Sequence, residues 1–190
     1  LVAPRQNAYG RADQGADWAL LARLYLNAEV YTGDAKYDSA IIYSSKVIGA
    51  GYSLIPDYTQ LMLADNNLNS SEFILTVNYD GLKTQGYGGT TFLTHSPVGG
   101  SMVANNYGID GGWSGNRTTK NLVNLFPDPN GTGDKRAEFY TAGQSLEINS
   151  IPNFTDGYAV TKFRNVTRGG LPGQSLSFSD IDFPLFRLAE

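Results

Sequence analysis

The stretch 11–51, "RADQGADWALLARLYLNAEVYTGDAKYDSAIIYSSKVIGAG", decides the fold. Trp18, Leu21, Ala22, Tyr25 and Leu26, with Ala28 or Glu29, recur at i, i+3, i+4, i+7, the spacing of one helical face. Tyr37, Ala40, Ile41, Ser44, Val47 and Ile48 form a second such stripe. Asp13 is placed to cap the first helix, expected over 11–32, and Gly33 to end it. Asp34 is placed to cap the second helix, and Gly49 or Gly51 to end it. Two amphipathic helices joined by a tight glycine turn make an αα-hairpin. The Trp, Leu, small residue and Tyr of the first helix fit a tetratricopeptide unit, although the expected proline arrives late, as Pro56. A lone unit cannot bury its own face. Its partner helices are therefore expected elsewhere, and Trp18 is expected in the core.

The rest of the chain differs in kind. In "SEFILTVNYDG" (71–81), Phe73, Leu75 and Val77 alternate with Glu72, Thr76 and Asn78, which predicts a strand running into an Asp-Gly turn. Residues 82–117 read as glycine-rich loop. "RTTKNLVNLF" predicts a short helix that "PDPNGTGD" breaks. "DGYAVTKFRNV" predicts a second strand through Tyr158, Val160 and Lys162. A loop-rich insertion of this length is uncommon unless it is functional. The closing "DFPLFRLAE" reads as the start of a helix with no stop signal, so we expect an internal piece of a longer protein. The fold class expected is mainly α with a loop-rich, short-strand region. It divides into a hairpin over 1–56, an irregular ligand-binding region over 57–183 and a truncated helix over 184–190.

Composition bounds the function. A net charge of −4 and a pI near 4.9 argue against nucleic acid and anionic membrane as partners. The absence of cysteine removes disulfides, thiol catalysis and cysteine-ligated zinc. No signal peptide is seen, but the chain opens on "LVAPRQN" without methionine, so a targeting segment could lie upstream. Twelve tyrosines and 22 glycines bias the chain toward neutral polar ligands such as sugars, which take stacking plus hydrogen bonds.

Within the irregular region, "YGIDGGWSGNRTTKNLVNLF" (107–126) sets Trp113 among glycines, a poor place to bury an indole. One reading makes it a ring that stacks on a sugar face, with Asn116 and Arg117 donating to hydroxyls. The other folds it back as a lid. Tyr87, between Gly86 and Gly88, is expected to be exposed and mobile. "DPNGTGDKRAEF" (128–139) half-imitates a calcium loop, but its twelfth position is Phe139, so a Pro-Asn-Gly turn is the better reading and no metal is expected. "GWSGN" misses the nucleophile-elbow pattern at Asn116. His95, the sole histidine, is read as a loop hydrogen-bonding residue. Asp80, Asp110 and Asp156 sit in turn contexts and mark no catalytic dyad.

Taken in order, "ADWALLARLYLNAEVYTGDAKYDSAIIYSSKVIGAGYSL", "SSEFILTVNYDG", "KNLVNLFPDPNGTGDKRAEFY", "KFRNV" and "DFPLFRLAE" resemble the SusD/RagB family, outer-membrane lipoproteins of Bacteroidetes. The run "GGTTFLTHSPVGGSM…YGIDGGWSGNRTTKNLVNLF" is most similar to its starch-specific members. The resemblance implies a tetratricopeptide-based protein without enzymatic activity or cofactor. It implies a lipid anchor on a segment missing here and a SusC-like TonB-dependent outer-membrane transporter as partner. Its ligand would be an α-1,4-glucan, starch or maltooligosaccharide, held by Trp113, Tyr87 and Asn116. The alternatives left open are a SusD-like protein for another glycan, a glycoside hydrolase fragment and a tetratricopeptide scaffold that binds protein.

Overall fold

The computed structural model describes residues 1–190, which divide into two compact units. Helix outweighs strand in the regular structure. The first unit takes residues 1–56, 68–78 and 183–190. Its hairpin is α1 (Gln14–Leu26), α2 (Ala28–Thr32) and α3 (Tyr37–Ile48). Buried Asp13 caps α1, accepting the Ala16 N–H at 3.1 Å through one carboxylate oxygen and the Arg5 N–H at 2.6 Å through the other. The helix expected over 11–32 is two helices. Helix α1 ends at Asn27, whose side chain and backbone N–H both donate to the Arg23 carbonyl, at 2.9 and 3.3 Å. Gly33 ends α2 in the left-handed region at φ 81°, as the Cβ penalty there favours. Asp34 does not cap α3. The capping position falls on Lys36, and Asp34 instead gives its own N–H to Thr32 Oγ1 at 3.2 Å.

Between α1 and α3, Tyr25 and Tyr43 stack with centroids 5.6 Å apart, and Lys46 lies over both Trp18 and Tyr43. Ala16, Val47, Tyr52, Ile74 and Phe186 form the core, with Trp18 half-buried against it. Leu24, Val30, Tyr31, Ile41, Ile42 and Ile48 remain on the exposed side.

Strand β1 (Phe73–Val77) pairs antiparallel with the last strand, β4 (Phe183–Arg187), through Phe73↔Arg187, Leu75↔Phe186, Thr76↔Pro184 and Val77↔Phe183. The chain end is therefore a strand, where the sequence suggested a helix. Pro184 and Phe186 face in while Phe183 and Leu185 face out, the two-residue period of a half-buried strand. The proline is tolerated because a two-stranded sheet has only edges. The alternation expected in β1 holds only in part: Phe73 is buried and Leu75 half-buried against the core, but Ile74 and Thr76 are buried as well and Val77 is exposed. Irregular register at Leu75 shifts the ladder, and polar groups on the buried side find partners. Glu72 binds Arg187 at 3.1 Å and accepts the Ile55 N–H at 2.6 Å; Thr76 donates to Asn78 at 2.6 Å.

The second unit takes residues 57–67 and 79–182. Its elements are α4 (Gly89–His95), the four-residue α5 (Lys120–Val123), and the paired β2 (Phe139–Tyr140) and β3 (Ala159–Val160). Val98, Met102, Ile109, Phe154 and Ala159 make its core. With so little regular structure, buried amides do much of the stapling. Asn165 donates to the carbonyls of Gly108 (3.0 Å) and Ser175 (2.8 Å) and accepts the Asp180 N–H at 3.0 Å. Asn66 donates to Leu61 and Asp182 carbonyls and accepts the Asp182 N–H. Each amide thus satisfies loop backbone that has no ladder partner.

Candidate functional site

The segment 82–117 is not all loop. Helix α4 lies within it, with Thr90, Thr91, Thr94 and His95 buried on one side and Phe92 exposed on another. Pro97 follows its C-terminus, where the last carbonyls lack helical partners. The glycine-rich run 111–116 folds back onto that end. The Trp113 N–H donates to His95 (3.0 Å) and the Ser114 N–H to Val98 (2.9 Å). Gly115 and Asn116 both donate to the Ser96 carbonyl, at 2.8 and 3.0 Å.

Close approach explains the glycines. A Cβ on Gly112 would lie 2.6 Å from the Val98 carbonyl carbon, and one on Gly99 would lie 2.9 Å from Ser114 Cα. Ser114 itself turns through the left-handed region at φ 53°. The loop that carries Trp113 is therefore stitched down along its length rather than slack, contrary to what a glycine run suggests on paper.

What this fixes is a surface cluster of rings. Trp113 sits 6.0 Å from Phe92 at an interplanar angle of 56° and 6.2 Å from Tyr87 at 60°. Tyr87 continues to Phe178 at 5.5 Å and 44°. Beneath Trp113 lies His95, stacked at 4.9 Å and 24°. Tyr87 is 71 % exposed, and Trp113 and Phe92 are each 41 % exposed, so all three present ring surface to solvent. Gly86 and Gly88 flank Tyr87 in open space.

The structure brings Tyr87 and Trp113 together and leaves the Asn116 side chain exposed three residues on, with its backbone N–H already used. Arg117 does not fit the hydroxyl-donor role. Its guanidinium is spent on the carbonyls of Asp156 (2.8 Å), Gly115 (3.1 Å) and Ile151 (2.7 Å). Sequence reasoning missed Phe92 and Phe178. Each is a lone phenylalanine among Thr, Ser and Gly, which is the signal that could have found them. The ring surfaces carry no formal charge, so the cluster suits a neutral ligand with apolar C–H faces.

Five carboxylates outside it are already hydrogen-bonded. Asp128 accepts N–H groups of Asn130, Thr132 and Gly133 at 3.1, 3.0 and 2.6 Å, and these hold its carboxyl below the usual range. Asp134 is clamped by Arg136, which lowers its pKa to about 2. Asp80 accepts from Leu82 and Lys83, Asp156 from Asn149, Ser150 and Asn153, and Asp110 from Ser177. No group of three or more His, Asp and Glu residues is arranged to hold a metal ion.

No protein-family model matches the chain. In sequence it is 35 % identical, over 235 aligned positions, to the starch-binding protein SusD of Bacteroides thetaiotaomicron. That match covers 98 % of this chain and 42 % of the relative, so the chain spans less than half of its length. In structure it superposes on a SusD-superfamily protein of Parabacteroides distasonis with a TM-score of 0.67 at 23 % identity, covering 98 % of this chain and 39 % of the other. It also superposes on surface glycan-binding protein A of B. thetaiotaomicron with a TM-score of 0.64 at 19 % identity, covering 99 % and 43 %. The chain is similar in sequence to SusD and shares the fold of part of these structures.

Proposed function

We propose that this SusD-like chain is part of a non-catalytic, surface glycan-binding protein that takes starch or maltooligosaccharides. Trp113 and Tyr87 stack on sugar faces, and the free Asn116 amide hydrogen-bonds to hydroxyls. The observation that carries the reading is the exposed ring pair, 6.2 Å apart, whose Trp113 member is held on a loop with four backbone hydrogen bonds to its support. A prearranged platform loses little ordering entropy on binding, so a few weak stacks suffice. Each stack contributes on the order of 1 kcal/mol beyond area burial. Angled rings meet a curved α-1,4-glucan more readily than a flat β-linked chain. The 35 % identity to a starch-binding protein supports the same ligand class.

The bound glucan is then delivered to a SusC-like TonB-dependent transporter at the outer membrane, with a lipid anchor outside this chain holding the protein there. No helix of the chain is long and apolar enough to cross a membrane. A glycoside hydrolase needs a free acid–base pair across one cleft, and Asp80, Asp110, Asp128, Asp134 and Asp156 each already accept hydrogen bonds from other groups of the chain.

The test is native electrophoresis of the intact protein in gels containing starch, with dextran as the control and Trp113→Ala alongside. Retardation in starch that the variant loses supports the reading. Equal mobility in all gels sinks it. Delivery is tested separately, by co-purification with a SusC-like transporter in detergent.

A further inference from the structure

His95 is 2 % exposed and meets the 111–113 run at three points, two through its imidazole and one through its backbone. Its Nδ1 lies 2.8 Å from the Gly111 carbonyl oxygen. A carbonyl only accepts, so Nδ1 carries the proton and donates. Its backbone carbonyl accepts the Trp113 N–H at 3.0 Å. Its ring plane lies 24° from that of the indole, with centroids 4.9 Å apart. The remaining nitrogen, Nε2, is buried with no partner. An orphaned buried nitrogen is unfavourable, and a phenyl ring would supply the stack without one. The feature that sets imidazole apart here is the Nδ1–H bond to Gly111, made by the same ring that supports Trp113.

We infer that His95 is the positioning residue of the aromatic platform: its side chain sets the pitch of the Trp113 indole, and through it the fit of the platform to a sugar face. The inference rests on the reading of this cluster as a glycan site, but its geometry can be measured without a glycan. The Gly111 bond fixes where the loop leaves the helix end, and the stack fixes the face the indole turns outward. Losing either frees the indole to rotate about its own side-chain bonds while the four backbone bonds of the loop persist.

Three substitutions in the intact protein separate these contributions. In His95→Asn, the side-chain amide nitrogen sits where Nδ1 was, so it can still donate to Gly111 and lay a flat face beneath the indole. In His95→Gln, the amide lies too far out to make that bond. In His95→Phe, the stack stays and the bond goes. Two readouts are taken: starch retardation, and the near-ultraviolet circular dichroism of Trp113, obtained as the difference from Trp113→Ala. We expect the Asn variant to bind within about twofold of wild type and to keep the Trp113 band. Gln and Phe should weaken binding by roughly threefold to tenfold, the size of one aromatic stack, and should lose the band.

A residue that merely supports the fold would give no rescue by Asn, so Asn no better than Gln overturns the inference. So does binding by Gln and Phe at wild-type strength with an unchanged band. Should wild type itself show no retardation by starch, the glycan reading fails, and the dichroism alone decides the positioning role by the same criteria. Urea midpoints are taken first; where the Phe variant does not fold, the Asn–Gln pair carries the test.

Discussion

Replacing Gly112 with alanine tests whether the glycine run around Trp113 exists for closeness or for slack. The added Cβ would lie 2.6 Å from the Val98 carbonyl carbon and 2.8 Å from Val98 Cγ1. Relaxed carbon–carbon contacts lie at about 3.5–4.0 Å, so the two segments must part by roughly 1 Å. The Ser114 N–H bond to the Val98 carbonyl, now 2.9 Å, would then stretch to about 4 Å and cease to be a hydrogen bond. That loss is worth about 1 kcal/mol, and overpacking adds about 1–3 kcal/mol. The backbone at Gly112 is not in the left-handed region, so no conformational strain is added. A destabilisation near 3 kcal/mol follows. Detachment of the whole loop, with its four backbone bonds, caps it at about 4 kcal/mol.

The neighbouring Gly111 is the internal control, because a Cβ there meets nothing within 4 Å. Gly111→Ala should stay within about 0.5 kcal/mol of wild type. Urea unfolding of the two variants, followed by starch-gel mobility, reads both consequences. The Gly112 variant should unfold at lower urea and lose starch retardation with Trp113 intact. If the two alanine variants are indistinguishable in midpoint and in mobility, the close-approach argument is wrong, and Trp113 does ride on a slack loop.

Burial pushes the Glu138 carboxyl up to about 7, against the pull of Arg164 and Lys162, and its side chain is only 12 % exposed. The folded state thus holds a proton that the unfolded chain releases near pH 4.3, so stability is full below that value, falls as pH rises to about 7 and is flat above, a loss of at most about 4 kcal/mol; Glu138→Gln should flatten the urea midpoint between pH 4.5 and 7.5. Asn165→Ala removes the three hydrogen bonds of a buried amide and should lower unfolding free energy by about 3 kcal/mol, read by thermal melting. Asp13→Ala removes the α1 cap and the Arg5 contact, and should lower it by about 1–2 kcal/mol. Starch retardation should be unchanged between low and high salt, since the ring platform is uncharged; a steep salt dependence would point to a charged contact instead.

The hairpin was legible because its information is local. The i, i+3, i+4 stripe needs only neighbouring residues, and the caps Asp13 and Gly33 act within one turn of where they stand. The hairpin departs from its sequence pattern in two places: Asp34 does not cap α3, and at Asn27 the side chain adds its own bond to the Arg23 carbonyl, which apolar periodicity does not register. The closing strand was illegible for the opposite reason. "FPLFRLAE" is rich in residues that helices accept, and what makes it a strand is β1, far off in sequence. Strand preference reflects the neighbour that the pleat finds, which a single segment does not carry.

Helix α4 shows a subtler failure. Thr90, Thr91, Thr94 and His95 do fall on a helical stripe, but the stripe is written in polar letters. Searching for apolar periodicity passes over a face whose burial is supported by hydrogen bonds, such as that from Thr94 to the Thr90 carbonyl at 2.7 Å. The same blindness hid the role of His95 and the proximity of Phe92 to Trp113. The glycines of 111–115 were visible but carry two opposite meanings. A glycine can loosen a chain, or it can let two backbones meet, and only the partner tells which. Gly111 has no such partner and Gly112 has the Val98 carbonyl, so adjacent identical letters mean different things. For the candidate site that difference is decisive, because the ring of Trp113 is held only where the loop backbone can reach Val98, and Gly112 permits that approach while His95 lies beneath the indole.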